Sequence, residues 1–202
     1  VPRFAPITPA AFAALVADRL AALPGRRVLA VDGADAAEPL AAAARIVEAV
    51  RERGRSAETV ALHDFVRPAS LRMEFGHTDE WSYRRAWFDY AAVRREILVP
   101  LRERGTWLPA LWDEAADRSA RAAVRAAPAD LVLVLAGPML LGRDLPFDLT
   151  VELAVSEAAL RRRTPAAEAW TLPALAAHRA EHPQEPTWSL RWDHPDRPAL
   201  RT

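Results

Sequence analysis

Two stretches of this 202-residue chain, "RVLAV" at 27–31 and "LVLVLAG" at 131–137, are apolar at nearly every position rather than at every second one. A strand points successive side chains to opposite faces, so a run apolar on both must be covered on both. Sheets covered on both faces are mostly parallel, because each parallel neighbour is reached through a crossover that lays a helix on one face. The segments between the apolar runs supply those helices. Residues 9–23 (Thr8 as N-cap), 39–53 (Pro39 in the first turn), 88–105, 156–163 and 172–182 read as helical. Further strands are expected at 58–65 and 147–155, and a closing strand with a Pro-rich tail at 187–198. Residues 67–87 read as an irregular excursion rich in arginine and aromatics, and 106–121 as a short hairpin or a strand plus loop. The expected fold is α/β: a doubly wound, mostly parallel sheet of about five strands with helices on both faces, one domain over 1–202 whose first 25 residues carry an N-terminal helix.

Composition removes several kinds of chemistry. The formal net charge is zero, so no electrostatic footprint points to nucleic acid or to an anionic membrane. There is no cysteine, hence no disulfide, thiolate metal site or cysteine nucleophile, and a cytoplasmic setting is expected. The opening "VPRFAPITPAAFAALVADRL" holds no unbroken apolar run of membrane-spanning length, and the chain reads as soluble and untargeted. All 27 basic residues are arginine, which excludes Schiff-base lysines, a lysine general base and a phosphate-loop lysine. "HRAEH" places His178 and His182 one helical turn apart, a spacing able to hold a metal, but no third ligand is evident and no metal site is expected. No "G-x-S-x-G" elbow is present.

In doubly wound sheets ligands sit beyond the carboxyl ends of the strands, which directs attention to Asp32-Gly33, His63-Asp64 and Ala136-Gly137. "VLAVDGADAAEPL", "LHDFVRP", "FDYAAVRREIL", "LPALWD", "LVLVLAG", "LRRR" and "WDHPDRP" follow one another in an order that resembles the uridine kinase branch of P-loop nucleoside kinases, and in particular an actinobacterial uridine kinase-like group. The resemblance covers nearly the whole chain. It implies a P-loop NTPase-like fold, a phosphate loop after the first core strand, an acidic acceptor-activating position at 63–64 and a lid at 161–170.

The departures from that pattern are as informative. A working phosphate loop needs inward-pointing N–H groups, a lysine on the terminal phosphates and a hydroxyl on Mg²⁺. Across Gly33, Ala34, Asp35, Ala36, Ala37, Glu38, Pro39 and Leu40 only Gly33 matches. Glu38 stands for the second glycine, Pro39 for the lysine and Leu40 for the hydroxyl residue, and Ala136 replaces a metal-side carboxylate. A carboxylate about 4 Å from one phosphate charge repels it by roughly 4 kcal/mol at an effective dielectric near 20, about a thousandfold in affinity. Glu38 is also placed to satisfy the orphan N–H groups of the following helix in place of an anion. No cofactor is expected; ATP-Mg²⁺ enters only if the protein is an active kinase.

On the acceptor side the resemblance implies substrate contacts at Arg67, Arg72, Asp89, Tyr90, Trp112, Asp113, Arg118 and Arg121, with Arg161, Arg162 and Arg163 as lid arginines. If catalysis survives, His63 or Asp64 is the base. Plainer readings stand beside these: His63-Asp64 as a hydrogen-bonded pair, Asp89 as a helix cap, the tryptophans as packing, the lid arginines as a solvated helix end. The favoured function is a non-catalytic binder of a nucleoside, nucleotide or phosphometabolite. The alternatives are an active uridine or nucleoside kinase with atypical donor binding, and a protein-interaction module using loop 66–88. Homodimerisation stays open.

Overall fold

The computed structural model describes residues 3–202; the first two residues of the expected N-terminal helical segment lie outside it. Five strands form the parallel core: β2 (Arg27–Asp32), β3 (Ala57–Ala61), β4 (Val132–Gly137), β5 (Leu149–Ala154) and β6 (Trp188–Arg191). Two short antiparallel strands, β1 (Phe4–Pro6) and β7 (Ala199–Arg201), extend one edge and give the order β1-β7-β6-β5-β2-β4-β3. The sheet therefore has seven strands, not about five. The extra pair escaped the apolar pattern because each is three residues long and no residue of either is buried. Pro6 is tolerated because β1 is the edge.

Strand parity divides the core as the apolar runs require. Leu29, Val31, Val132 and Val134 face helices α1 (Pro9–Ala21) and α2 (Pro39–Glu52). Val28, Ala30, Leu133 and Leu135 face the opposite layer, built from residues 62–66, the helical stretch α4 (90–103), and the loop after β4. Thr8 caps α1 as expected, its hydroxyl accepting from Ala11 N–H at 3.1 Å. Arginine fills a structural role that a lysine ammonium could not match: the planar fork of Arg26 reaches the carbonyls of Ala127 and Pro128, and that of Arg55 those of Leu23, Gly25 and Asp130.

Several local expectations shift. The segment 58–65 leaves the strand at Ala61 and turns through one 3₁₀ turn, Leu62–Phe65, which carries His63 and Asp64. The excursion 67–87 contains two short helices, Ala69–Arg72 and α3 (Glu80–Arg85). α4 starts at Tyr90 with Asp89 as its cap and widens into a π turn over Val93–Leu98. Within 106–121 the hairpin alternative holds for Trp112–Asp113 against Arg118–Ser119. The last helices are α5 (Glu157–Arg163) and α6 (Thr171–Glu181), and the Pro-rich tail folds back as β7.

β2 is central. The chain leaves it for the far edge at β3, returns to β4 beside β2, then crosses to β5 on the other side. This reversal of direction creates the crevice where ligands of such folds sit, with Asp32 paired to Gly137 at its base. Gly137 is there for space, since a Cβ would fall 2.5 Å from Leu62 Cβ.

Candidate functional site

The turn after β2 satisfies itself. Gly33 N–H donates to the Gly137 carbonyl, Ala37 N–H to that of Ala34 at 2.7 Å, and Glu38 N–H to that of Asp35 at 2.9 Å, closing a 3₁₀ turn over Asp35–Ala37. The N–H groups of Ala37 and Glu38 are thus used inside the turn. Trp192 fixes it from outside, its indole N–H donating to the Ala37 carbonyl at 2.9 Å. Glu38 lies in the left-handed region (φ 55°, ψ 52°) and makes no capping hydrogen bond, so the expectation that its side chain caps α2 is not met. The Glu38 residue is exposed. Pro39 takes the first helical position and Leu40 is 46% exposed.

Across the crevice the 3₁₀ turn after β3 presents His63 between two carboxylates. Its Nε2 meets Asp35 Oδ1 at 3.1 Å and its Nδ1 meets Glu114 Oε2 at 2.7 Å. Burial disfavours charge on the ring, but the two carboxylates outweigh it and raise its pKa to about 10. His63 is therefore an imidazolium at neutral pH, donating from both nitrogens, with no lone pair to accept a proton. The role of general base does not fit it. Burial raises the carboxyl pKa of neighbouring Asp64.

The network continues inward. Glu114 Oε1 accepts from Arg72 at 2.9 Å and from the Trp87 indole at 3.3 Å. Burial works against the charge on Glu114, yet His63 and Arg72 hold its pKa below the usual range. Arg72 is 3% exposed, stacks over Trp87 with 5.0 Å to the ring centroid, and donates to the Arg67 carbonyl at 2.6 Å. Asp117, near Arg72, also accepts from Ala69 N–H and from the Trp112 indole. The acceptor-side groups are thus bound to one another.

The remaining expected contacts are placed as follows. Asp89 spends a carboxylate oxygen on Ala92 N–H at 2.8 Å, the helix-cap reading. Tyr90 lies beneath the Arg143 guanidinium, 4.2 Å from its ring centroid, with its hydroxyl 3.4 Å from the Pro138 carbonyl. Asp113 accepts from Ala116 N–H, closing the hairpin turn, and Arg118 and Arg121 are exposed on that hairpin. Of the lid arginines, Arg161 pairs with Glu157 on its own helix, Arg162 is exposed and Arg163 donates to the Trp192 carbonyl.

A large cavity lies elsewhere. About 970 Å³ opens between α5, α6 and β5, reaching Asp32, Gly33 and Ala34 at the base of the crevice. Of the phosphate-loop, acceptor-side and lid-arginine positions expected from the sequence, Gly33, Ala34 and Arg161 line it, together with Asp32 at the strand end and the pair His178 and His182. None of the acceptor-side residues expected from the sequence lines this cavity, and Arg72 among them is paired with Glu114. Asp32 stands at the cavity base and accepts from Leu140 and Leu141 N–H at 3.2 and 3.3 Å. Burial, reinforced by nearby Glu152, raises its carboxyl to about 7. His178 also lines the cavity; its Nε2 donates to the Leu141 carbonyl at 2.7 Å, and burial lowers its pKa to about 4. Sequence reasoning missed Glu114 altogether: an isolated glutamate in a polar loop carries no signal of its partners.

The chain matches no protein-family model and no curated protein sequence. Its fold is similar to that of solved structures. A possible uridine kinase from Bacillus stearothermophilus superposes with a TM-score of 0.67 at 16% identity, covering 84% of this chain and 91% of that one. A candidate fructose transport system kinase from Silicibacter sp. TM1040 gives 0.69 at 24% identity, covering 86% and 95%. The likeness is one of fold. Neighbours named for a nucleoside and for a sugar share it, so the fold leaves the ligand to the site.

Proposed function

We propose that this chain is a non-catalytic small-molecule-binding protein on a P-loop kinase scaffold, its ligand the size of a nucleoside, nucleotide or phosphometabolite. The reading takes residues 1–202 as one unit, with 161–170 the remnant of a lid.

The observation that carries it is the Asp35–His63–Glu114 link. Phosphoryl transfer on this scaffold needs the donor's terminal phosphoryl group between the turn after β2 and the acceptor hydroxyl. Here a residue of that turn is hydrogen-bonded directly to the 3₁₀ turn opposite, at 3.1 Å. The residues present do not fit ATP with Mg²⁺: Pro39 offers no N–H and no ammonium, Leu40 and Ala136 offer no metal ligand, and the N–H groups of Ala37 and Glu38 are spent inside the turn. Binding is supported by the cavity, whose volume is at the upper end for small-molecule sites.

The test is a pair of measurements on the full chain. ADP formation from ATP-Mg²⁺ with a panel of nucleosides and sugars is expected to stay at the protein-free rate. Thermal unfolding in the presence of the same nucleosides and sugars, and of their phosphates, is expected to show at least one saturable upward shift. Donor-dependent product that scales with protein concentration would overturn the non-catalytic reading, and the absence of any shift across the panel would overturn the binding one.

A further inference from the structure

The charges around the cavity do not suit an anion. Three guanidinium groups line it, and each has a carboxylate partner: Arg179 with Glu152 at 2.7 Å, Arg161 with Glu157 at 2.5 Å, and Arg201 with Glu185. Asp32 is the lining carboxyl left over. Among the described residues no guanidinium lies within ion-pair distance of it, and its polar contacts are the Leu140 and Leu141 N–H groups. The imidazole of His178 brings little compensating charge, because burial disfavours its charged form; its Nε2–H is spent on the Leu141 carbonyl, and the residue is 4% exposed. Much of the remaining wall, including Leu153, Leu160, Leu172 and Leu175, is aliphatic. Each of these guanidinium charges is already balanced by a carboxylate, so an arriving phosphate or carboxylate finds no uncompensated cation on this wall and faces Asp32. An N–H group would complete the coordination of Asp32 without displacing anything.

We infer that the cavity takes a non-anionic organic molecule with an apolar body and an amine or other N–H donor directed at Asp32, and that it rejects phosphate- and carboxylate-bearing molecules of the same shape. This rests on the binding reading above and narrows it: of nucleoside, nucleotide and phosphometabolite, only the phosphate-free class suits the wall. Shape is met by the aliphatic lining, and the sign of the ligand is set by Asp32.

Matched pairs of probes test it by calorimetry on the full chain: tryptamine against indole-3-acetate, benzylamine against benzoate, and adenosine against adenosine monophosphate. In at least one pair the donor-bearing member is expected to bind at least about tenfold more tightly than its anionic partner. Ala176→Trp places a large ring from an exposed position of α6 that lines the cavity, and is expected to abolish that binding while leaving the unfolding midpoint unchanged. Asp32→Asn is expected to remove most of the discrimination between pair members. Equal or tighter binding of the anionic members would overturn the ligand class and leave the binding reading standing. Binding insensitive to Ala176→Trp would overturn the assignment to this cavity. No binding by any probe would overturn the inference, whereas the binding reading falls only if the broader nucleoside and sugar panel is also silent.

Discussion

Replacing His63 with glutamine should expose how much the link across the crevice stabilises the protein, and the effect should depend on pH in one direction. The ring's pKa is raised from 6.5 to about 10 by Asp35 and Glu114, against the opposing effect of burial. A group whose folded pKa lies above its unfolded value contributes stability that is complete below the unfolded pKa and disappears as the pH climbs through the folded one. Taken at face value the shift would be worth about 5 kcal/mol. That figure must be cut sharply, because the side chains of His63 and Asp35 are 40% and 42% exposed and water screens them. Two partly open ion pairs of this kind are worth about 1–2 kcal/mol together. For a chain of this length that is a few degrees in unfolding midpoint. Neither lysine nor cysteine titrates in this window, and groups that do, such as Asp32, are common to both proteins and cancel in the difference. Wild type should therefore exceed His63→Gln by about 1–2 kcal/mol in denaturant unfolding at pH 6, with the gap closing steadily toward pH 10. A gap that is flat across this range, or that widens with pH, would refute a doubly paired imidazolium.

Three further outcomes are expected. Glu38→Gly should raise stability by about 0.5–1 kcal/mol in the same assay, since a non-glycine residue at φ 55° is strained and its side chain caps nothing. Gly137→Ala should cost at least about 2 kcal/mol, because its Cβ would stand 2.5 Å from that of Leu62 in a packed layer, and a neutral result would mean the β4 end is looser than described. Asp32 has a carboxyl raised to about 7 by burial, so folding favours its protonated form, and this contribution fades as the pH rises from about 4 through 7. Asp32→Asn should accordingly gain on wild type between pH 5 and pH 8, by on the order of 1 kcal/mol, measured as the difference in unfolding free energy at the two pH values.

The parts of the fold legible in the sequence are those that depend on near neighbours. Apolar runs on both parities announced the parallel core, and Thr8 and Asp89 announced helix starts because a cap acts within three residues. The edge strands β1 and β7 were not legible, since a strand with no buried residue has no apolar signature and exists only because its partner lies beside it. The candidate site divides the same way. The altered turn at 33–40 could be read residue by residue, whereas the partners of its Asp35 could not. His63 is 28 residues from Asp35 and 51 from Glu114, so whether its ring is a base or a closed cation depends on distances that only folding sets.

What the sequence determined by itself was the kind of sheet and the chemistry it excludes: side-chain parity fixes which strands need cover on both faces, and an absent lysine is absent in any fold. What tertiary structure decided was the charge state and the location of the open space. Asp32 meets the N–H groups of Leu140 and Leu141 across more than a hundred residues, and partial burial beside the same loop raises its carboxyl pKa. Arg72, expected from the sequence as a substrate contact, is buried under Trp87 and paired with Glu114. Ionisation and cavity shape follow from desolvation and from charges only a few ångströms away, and those neighbours are chosen by the fold rather than by their order in the chain.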